Sequence, residues 1–277
     1  MSQQIIVDAN GARIPALGLG TFRSEGQACV DAVATALKVG YRHIDTAAMY
    51  GNEAEVGEGI RAGGVARDEV FVTTKVWWSE IGPGALQRSA EASLRKLGLD
   101  AVDLLLIHWP NPEIPLADSI GALCDAKRRG LARHIGVSNF TVALLDEAVR
   151  LSTEPLAALQ CEYHPTLGQH RLLEAVRRHG MAFTSYAPIG KGADTEDKTV
   201  QEIAVAHGKT GAQTVLRWQV QQAGVCAIPK SSHPGRIAEN FDIWDFSLSP
   251  DEMAAISRLA RADGRMINPA FAPTWDA

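Results

Sequence analysis

Asp45, Tyr50, Lys75 and His108 are the residues of this chain whose types could together move a proton. Each stands at, or just past, the end of a short apolar run that reads as a strand: residues 43–45, 70–75 and 102–108, with Tyr50 five positions beyond Asp45. A phenol has a pKa of about 10 and donates poorly near neutrality. A neighbouring ammonium favours the phenolate and lowers that value. Lys75 is expected to act on Tyr50 in this way, with Asp45 holding Lys75 charged and aimed. His108 is expected to hydrogen-bond the same substrate oxygen, orient the substrate or relay a proton. A carbonyl reductase needs such a donor opposite its hydride source. Taken singly, each residue has an ordinary structural explanation. Their shared position at strand ends is what gives them weight.

For the four to meet, those strand ends must open onto one face. Strand-like runs at 17–19, 43–45, 70–75, 102–108, 134–137, 156–161, 181–185 and 225–228 alternate with helical patterns at 27–39, 53–61, 85–97, 116–129, 142–151, 171–179, 200–206 and 234–241. Regular alternation implies parallel strands, and eight units favour closure. Ahead of them, 5–7 and 13–14 flank Asp8-Ala9-Asn10-Gly11, where Asn-Gly signals a hairpin turn. Extra helices are expected at 212–222 and 250–259, the second opened by Ser249-Pro250. The expected fold is α/β, a (β/α)8 TIM barrel with an N-terminal β-hairpin and two extra helices. No linker or composition break divides residues 1–277, so one domain is expected.

Composition narrows the classes. Hydrophobic residues make up 46% and charged residues 21%, enough for a large core. The net charge is −5 and no basic block occurs, so no nucleic-acid partner is expected. Cys29, Cys124, Cys161 and Cys226 form no C-x-x-C pair and no His cluster accompanies them, which argues against a disulfide or zinc framework. The N-terminus lacks a basic region followed by an apolar stretch, and no apolar run reaches bilayer length. A cytoplasmic monomer without a membrane partner or a metal is expected.

Three longer motifs sharpen the reading. The first runs Gly40-Tyr41-Arg42-His43-Ile44-Asp45-Thr46-Ala47 and on through Tyr50, Gly51, Asn52, Glu53, Val56 and Gly57. The second is Gly130 through His134-Ile135-Gly136-Val137-Ser138-Asn139-Phe140. The third is Ile228-Pro229-Lys230-Ser231, then Arg236, Glu239 and Asn240. In these motifs the chain resembles an aldo-keto reductase of the short-loop, bacterial type, similar to 2,5-diketo-D-gluconate reductases, from near Leu17 to about Phe246. The resemblance implies a (β/α)8 barrel, NADPH-dependent carbonyl reduction, and Asp45, Tyr50, Lys75 and His108 as a catalytic tetrad. It places Ser138, Asn139 and Gln160 at the nicotinamide carboxamide, Tyr186 stacked on the nicotinamide ring, and Thr21 in the same cofactor set. Lys230, Ser231, Ser232 and Arg236 match the region of the adenosine 2′-phosphate, with Glu239 and Asn240 facing the adenine. Arginine grips phosphate as a fork and lysine as a point charge, which favours NADPH over NADH. The helix starting near Pro234 would add its N-terminal dipole.

Phe22, Trp77 and Trp109 lie just beyond strand ends and suit the wall of a substrate pocket. Trp78 is less clearly part of it. Phe22 stands where many similar reductases carry tryptophan. The stretches 109–113 and 190–197 are short, so an open site is expected, with Phe271 and Trp275 of 266–277 able to fold over it. Gly57-Glu58-Gly59-Ile60-Arg61-Ala62 fits a dinucleotide fingerprint, but it follows a helical pattern where the fingerprint requires a strand. The expected substrate is a small carbonyl compound, of dicarbonyl or keto-sugar type. The rivals are a metal-dependent barrel hydrolase, whose His-x-His sign is missing from Gly18-Leu19-Gly20-Thr21, and a cofactor-binding regulatory protein with little catalysis.

Overall fold

The computed structural model describes residues 4–276. The chain opens with the hairpin of β1 (Ile6–Ala9) and β2 (Ala12–Pro15). Its strands reach further into the turn than expected, because Asp8 pairs with Arg13 and Ala9 with Ala12. That leaves a two-residue loop, Asn10-Gly11, with φ of 45° and 86°. Two successive positive φ angles are what a hairpin with right-handed strand twist needs. The Asn10 side chain ties the hairpin to the far end of the sheet by donating to Leu156 O and His179 O.

Eight parallel strands follow in sequence order: β3 (Leu19–Gly20), β4 (His43–Asp45), β5 (Phe71–Val76), β6 (Val102–Ile107), β7 (Ala132–Ser138), β8 (Leu156–Glu162), β9 (Ala182–Tyr186) and β10 (Val225–Ala227). The sheet curls until its edges meet. Leu17 bridges Ala227 and Gly20 bridges Lys230, both in parallel sense, and Gly20 N donates to Pro229 O at 3.0 Å. This is consistent with the (β/α)8 fold. β4, β5, β6 and β8 are buried along their whole length. Parallel strands with helices outside and side chains inside have no wet face.

The outer helices are α1 (Gly26–Val39), α2 (Glu53–Ala62), α3 (Ala85–Leu97), α4 (Leu116–Arg128), α5 (Val142–Leu151), α6 (His170–Arg178), α7 (Lys198–His207), α8 (Gly211–Val220), α9 (Pro234–Phe241) and α10 (Pro250–Ser257). Of the two helices between β9 and β10, α8 packs on β10, whereas α7 packs on α8 and α10. The helix expected as an addition is therefore the one that covers the sheet. Its burial explains why: Gln213, Thr214, Val215, Leu216, Trp218 and Gln219 are all buried, against Val200, Ile203 and Ala204 in α7. Periodicity alone does not separate the two.

Gly57 and Gly59 lie inside α2, not at a strand–helix turn. A Cβ on Gly57 would stand 2.2 Å from Leu97 O, and one on Gly59 would stand 2.8 Å from Val30 O. These glycines let α2 press against its two neighbours. The fingerprint-like spacing is a packing device.

Candidate active site

β4 ends at Asp45, β5 carries Lys75 as its next-to-last residue, and His108 follows β6. In the register Asp45 faces Thr73, two residues before Lys75, so both side chains take the inward side of adjacent strands. Lys75 Nζ donates to Asp45 Oδ1 at 2.5 Å and to Thr46 O at 2.8 Å. The pair is buried, with the lysine side chain wholly out of contact with solvent. Gln160 Nε2 donates to the other carboxylate oxygen, Oδ2, at 2.8 Å. Burial works against a charged Lys75, but Asp45 and Tyr50 outweigh it and raise its pKa above the ordinary value.

Tyr50 ends a short 3-10 turn (Ala48–Tyr50), half-buried. Its hydroxyl lies 3.4 Å from Lys75 Nζ, and the ammonium stands 5.1 Å from the ring centre. The His108 ring meets Tyr50 edge-on at 5.7 Å and Trp77 at 5.2 Å. The four residues thus converge. The acidity does not move as expected. Burial raises the Tyr50 pKa, and the opposing charge of Lys75 offsets only part of this. His108 is pushed well below the usual imidazole value, first by burial and then by Lys75. The site therefore holds a neutral phenol and a neutral imidazole beside a charged ammonium.

The neighbouring strand ends carry the next layer. Ser138, Asn139 and Gln160 are buried at the ends of β7 and β8, and Tyr186 ends β9. Asn139 Nδ2 donates to His108 O and to Ser138 Oγ, while Asn139 Oδ1 accepts from Tyr186 Oη at 2.7 Å. Both amide hydrogens of Asn139 are thus used within the protein. An ionised carboxylate only accepts, so the nitrogen of Gln160 must face Asp45 and its oxygen faces away. Thr21 Oγ1 donates to Asp45 O, so this hydroxyl steadies the end of β4. Among the described residues five non-glycines have positive φ, and four of them, Arg23, Asn139, Ala187 and Lys191, sit in loops leaving β3, β7 and β9 on this face. Such strain concentrates where a loop is held to a task.

Lys230 and Arg236 are exposed, one bridged to Gly20 and the other in the first turn of α9. Ser231 Oγ accepts from His233 N, Ser232 Oγ lies 3.2 Å from Ser24 Oγ, Glu239 accepts from Thr210, and Asn240 is buried. Lys230, Ser231, Ser232 and Arg236 thus stand at or before the first turn of α9, beside the barrel seam, and Glu239 and Asn240 in its last turn.

Aromatic rings wall the other side. Phe22 stands 5.0 Å from Tyr50 and is 44% exposed. Phe271 meets Trp77 and Trp109 edge-on and stacks on Trp78 at 4.9 Å. Trp78, the less clear of the tryptophans, is thus part of the same cluster. The C-terminal segment does lie across this cleft, so the site is less open than loop lengths imply. Sequence reasoning left Thr46, Asn52, Glu162, His164, Asp194 and Arg265 without roles. Asn52 donates to Thr21 O and Ser24 O and accepts from Thr46 Oγ1, fixing the loop that carries Phe22. Alternation along β8 was the available signal for Glu162, which shares the inward side with Gln160.

The model of the Aldo/keto reductase family matches residues 16–261. The chain belongs to the aldo/keto reductase family. It is an oxidoreductase that acts on carbonyl groups. Among its relatives is the methylglyoxal reductase DkgB of Yersinia pestis, 40% identical over 95% of this chain and 99% of that protein. The crystal structure of a putative 2,5-diketo-D-gluconic acid reductase B superposes with a TM-score of 0.97 at 49% identity, covering 99% of this reductase and 98% of the other chain. A Bombyx mori aldo-keto reductase in complex with NADP superposes at 0.89 with 33% identity, covering 98% and 96%. No described helix is long and apolar enough to cross a membrane. The four cysteines are buried free thiols.

Proposed function

We propose that the reductase uses NADPH to reduce a small aldehyde or ketone, of dicarbonyl or keto-sugar type, with Tyr50 as proton donor. The observation that carries this reading is the buried chain Gln160–Asp45–Lys75–Tyr50, which ends on a phenol beside a neutral imidazole. Tyr186 would hold the nicotinamide ring, and NADPH, when bound, would be the source of the hydride. The residues present fit its carboxamide: the Gln160 carbonyl oxygen is turned away from Asp45, and the Ser138 hydroxyl is free to donate while it accepts from Asn139. Asn139 contributes its carbonyl oxygen, since both of its amide hydrogens are taken. Exposed Lys230 and Arg236 at the start of α9 suit a 2′-phosphate. The resemblance to a structure holding NADP agrees with this.

The chain's own part in the reaction follows from protonation states. Neutral His108 and Tyr50 both offer hydrogens to the carbonyl oxygen, and neither brings a charge that would repel Lys75. As negative charge grows on that oxygen, Tyr50 gives up its proton. The ammonium 3.4 Å away then stabilises the phenolate. Asp45 keeps the ammonium in place, and Gln160 keeps Asp45 in place. Trp77, Trp109 and Phe271 exclude water and hold the organic part of the substrate. We also read residues 1–277 as one functional unit.

The test is consumption of NADPH with a panel of methylglyoxal, other dicarbonyls, keto-sugar acids and simple aldehydes, ranked by kcat/KM. Turnover highest with small dicarbonyls or keto-sugars is expected. NADPH binding without turnover on any member would overturn the reading in favour of a regulatory protein.

A further inference from the structure

β8 ends on Glu162, a carboxylate with no solvent contact. Its Oε1 accepts from Met266 N at 2.8 Å and its Oε2 accepts from Ile267 N at 3.0 Å, across more than a hundred residues of chain. Beyond α10 the chain forms no further helix or strand among the described residues, so these N–H groups have no ladder partner. Charge-assisted bonds from one buried carboxylate replace it. The same Oε1 lies 3.1 Å from His164 Nε2. On the other side of that buried ring, Nδ1 lies 2.8 Å from Asp194 Oδ2 and 3.0 Å from Thr166 Oγ1. Thr166 Oγ1 in turn donates to Asp194 Oδ1. Arg265 Nη1 stands 3.8 Å from Glu162 Oε2, with its guanidinium 3.6 Å above the Trp275 ring.

Two buried carboxylates face one imidazole and one guanidinium. Burial favours a neutral His164, but its two carboxylate partners outweigh burial and raise its pKa. What the bridge joins is more telling than its charge. Glu162 holds the start of the strap that carries Phe271 onto Trp77 and Trp109. Asp194 belongs to the segment Gly190–Glu196, which follows Tyr186 and contains the positive-φ residue Lys191.

We propose that Glu162, His164 and Asp194 are positioning residues that fasten the C-terminal strap and the 190–196 loop to the end of β8, so that the substrate wall and the cofactor wall are set from one point. The assignment of the two walls rests on the function proposed above; the fastening does not.

The experiment uses the full chain and the variants Glu162→Gln, His164→Asn and Phe271→Ala, each checked for folding by its melting temperature. Trypsin cleavage after Arg265, read by mass as release of 266–277, reports the strap directly. In Glu162→Gln we expect release about tenfold faster, in line with loss of charge-assisted bonds. We also expect a severalfold rise in KM for an aromatic aldehyde and in the NADPH dissociation rate, with kcat on methylglyoxal within about twofold. Phe271→Ala should raise that KM alone and leave NADPH dissociation unchanged. If Glu162→Gln does not fold, His164→Asn carries the same test. Wild-type release in a folded variant overturns the fastening. Faster release with unchanged KM and unchanged NADPH dissociation overturns the positioning role. Absence of turnover by the wild-type chain defeats the proposed function instead, and the trypsin arm still decides the bridge.

Discussion

At Tyr50 burial and the charge of Lys75 pull in opposite directions, and burial prevails. The residue types and their places at strand ends were readable, because alternation along a strand is a local property. The direction of the pKa was not, because it depends on how deep the phenol sits and on a 3.4 Å distance that no spacing contains. The saturation of the Asn139 amide was hidden for the same reason, since its partners His108 and Tyr186 come from other strands. The sign has a consequence for rate. A raised phenol pKa keeps Tyr50 protonated through neutrality, and a depressed His108 pKa keeps the imidazole neutral there. The kcat for reduction should be flat from about pH 6 to about pH 9 and fall only near or above the ordinary phenol value of about 10. A fall centred near neutrality in the pH–rate profile would show that the phenol is acidified after all.

Among the elements, the hairpin, the eight strands and the helices were legible to within a few residues, because their periods and caps are written locally. The role of α7 against α8 was not, because both are amphipathic and only packing on β10 tells them apart. The α2 glycines show how a motif-like spacing acquires meaning from its setting. Gly57→Ala places a Cβ against the Leu97 carbonyl, a backbone atom that cannot swing aside. A loss of about 1–3 kcal/mol in urea unfolding is expected, with kcat little changed in the folded fraction. Stability equal to wild type would mean that the helices are not pressed together there. At α9, Arg236→Ala should weaken NADPH by about tenfold or more, the scale of a hydrogen bond between charged partners, and leave NADH nearly unaffected. Equal losses in titrations with the two cofactors would remove the phosphate role.

At the scale of the whole molecule, closure of the sheet is what makes the site. Strands β4, β5 and β6 bring in the proposed proton-donor set, β7, β8 and β9 the candidate carboxamide and ring contacts, and the seam at Gly20 and Lys230 brings α9 beside them. Eight alternating units announced that closure, since only a closed parallel barrel gathers so many strand ends on one rim. The strap was visible only as two aromatic residues in a C-terminal stretch. Its course across the cleft depends on Glu162 and Asp276, which accept bonds from Met266, Ile267 and Val142, and such distant pairings leave no local pattern. The claim on which the account depends is that the assembled donor is Tyr50. Single-turnover reduction of methylglyoxal by Tyr50→Phe, with NADPH affinity measured on the same sample, addresses it most directly. Wild-type NADPH binding is expected, with a rate lower by about 10²–10⁴-fold, the range of a lost general acid. A rate within a few-fold of wild type, with NADPH bound normally, would contradict it.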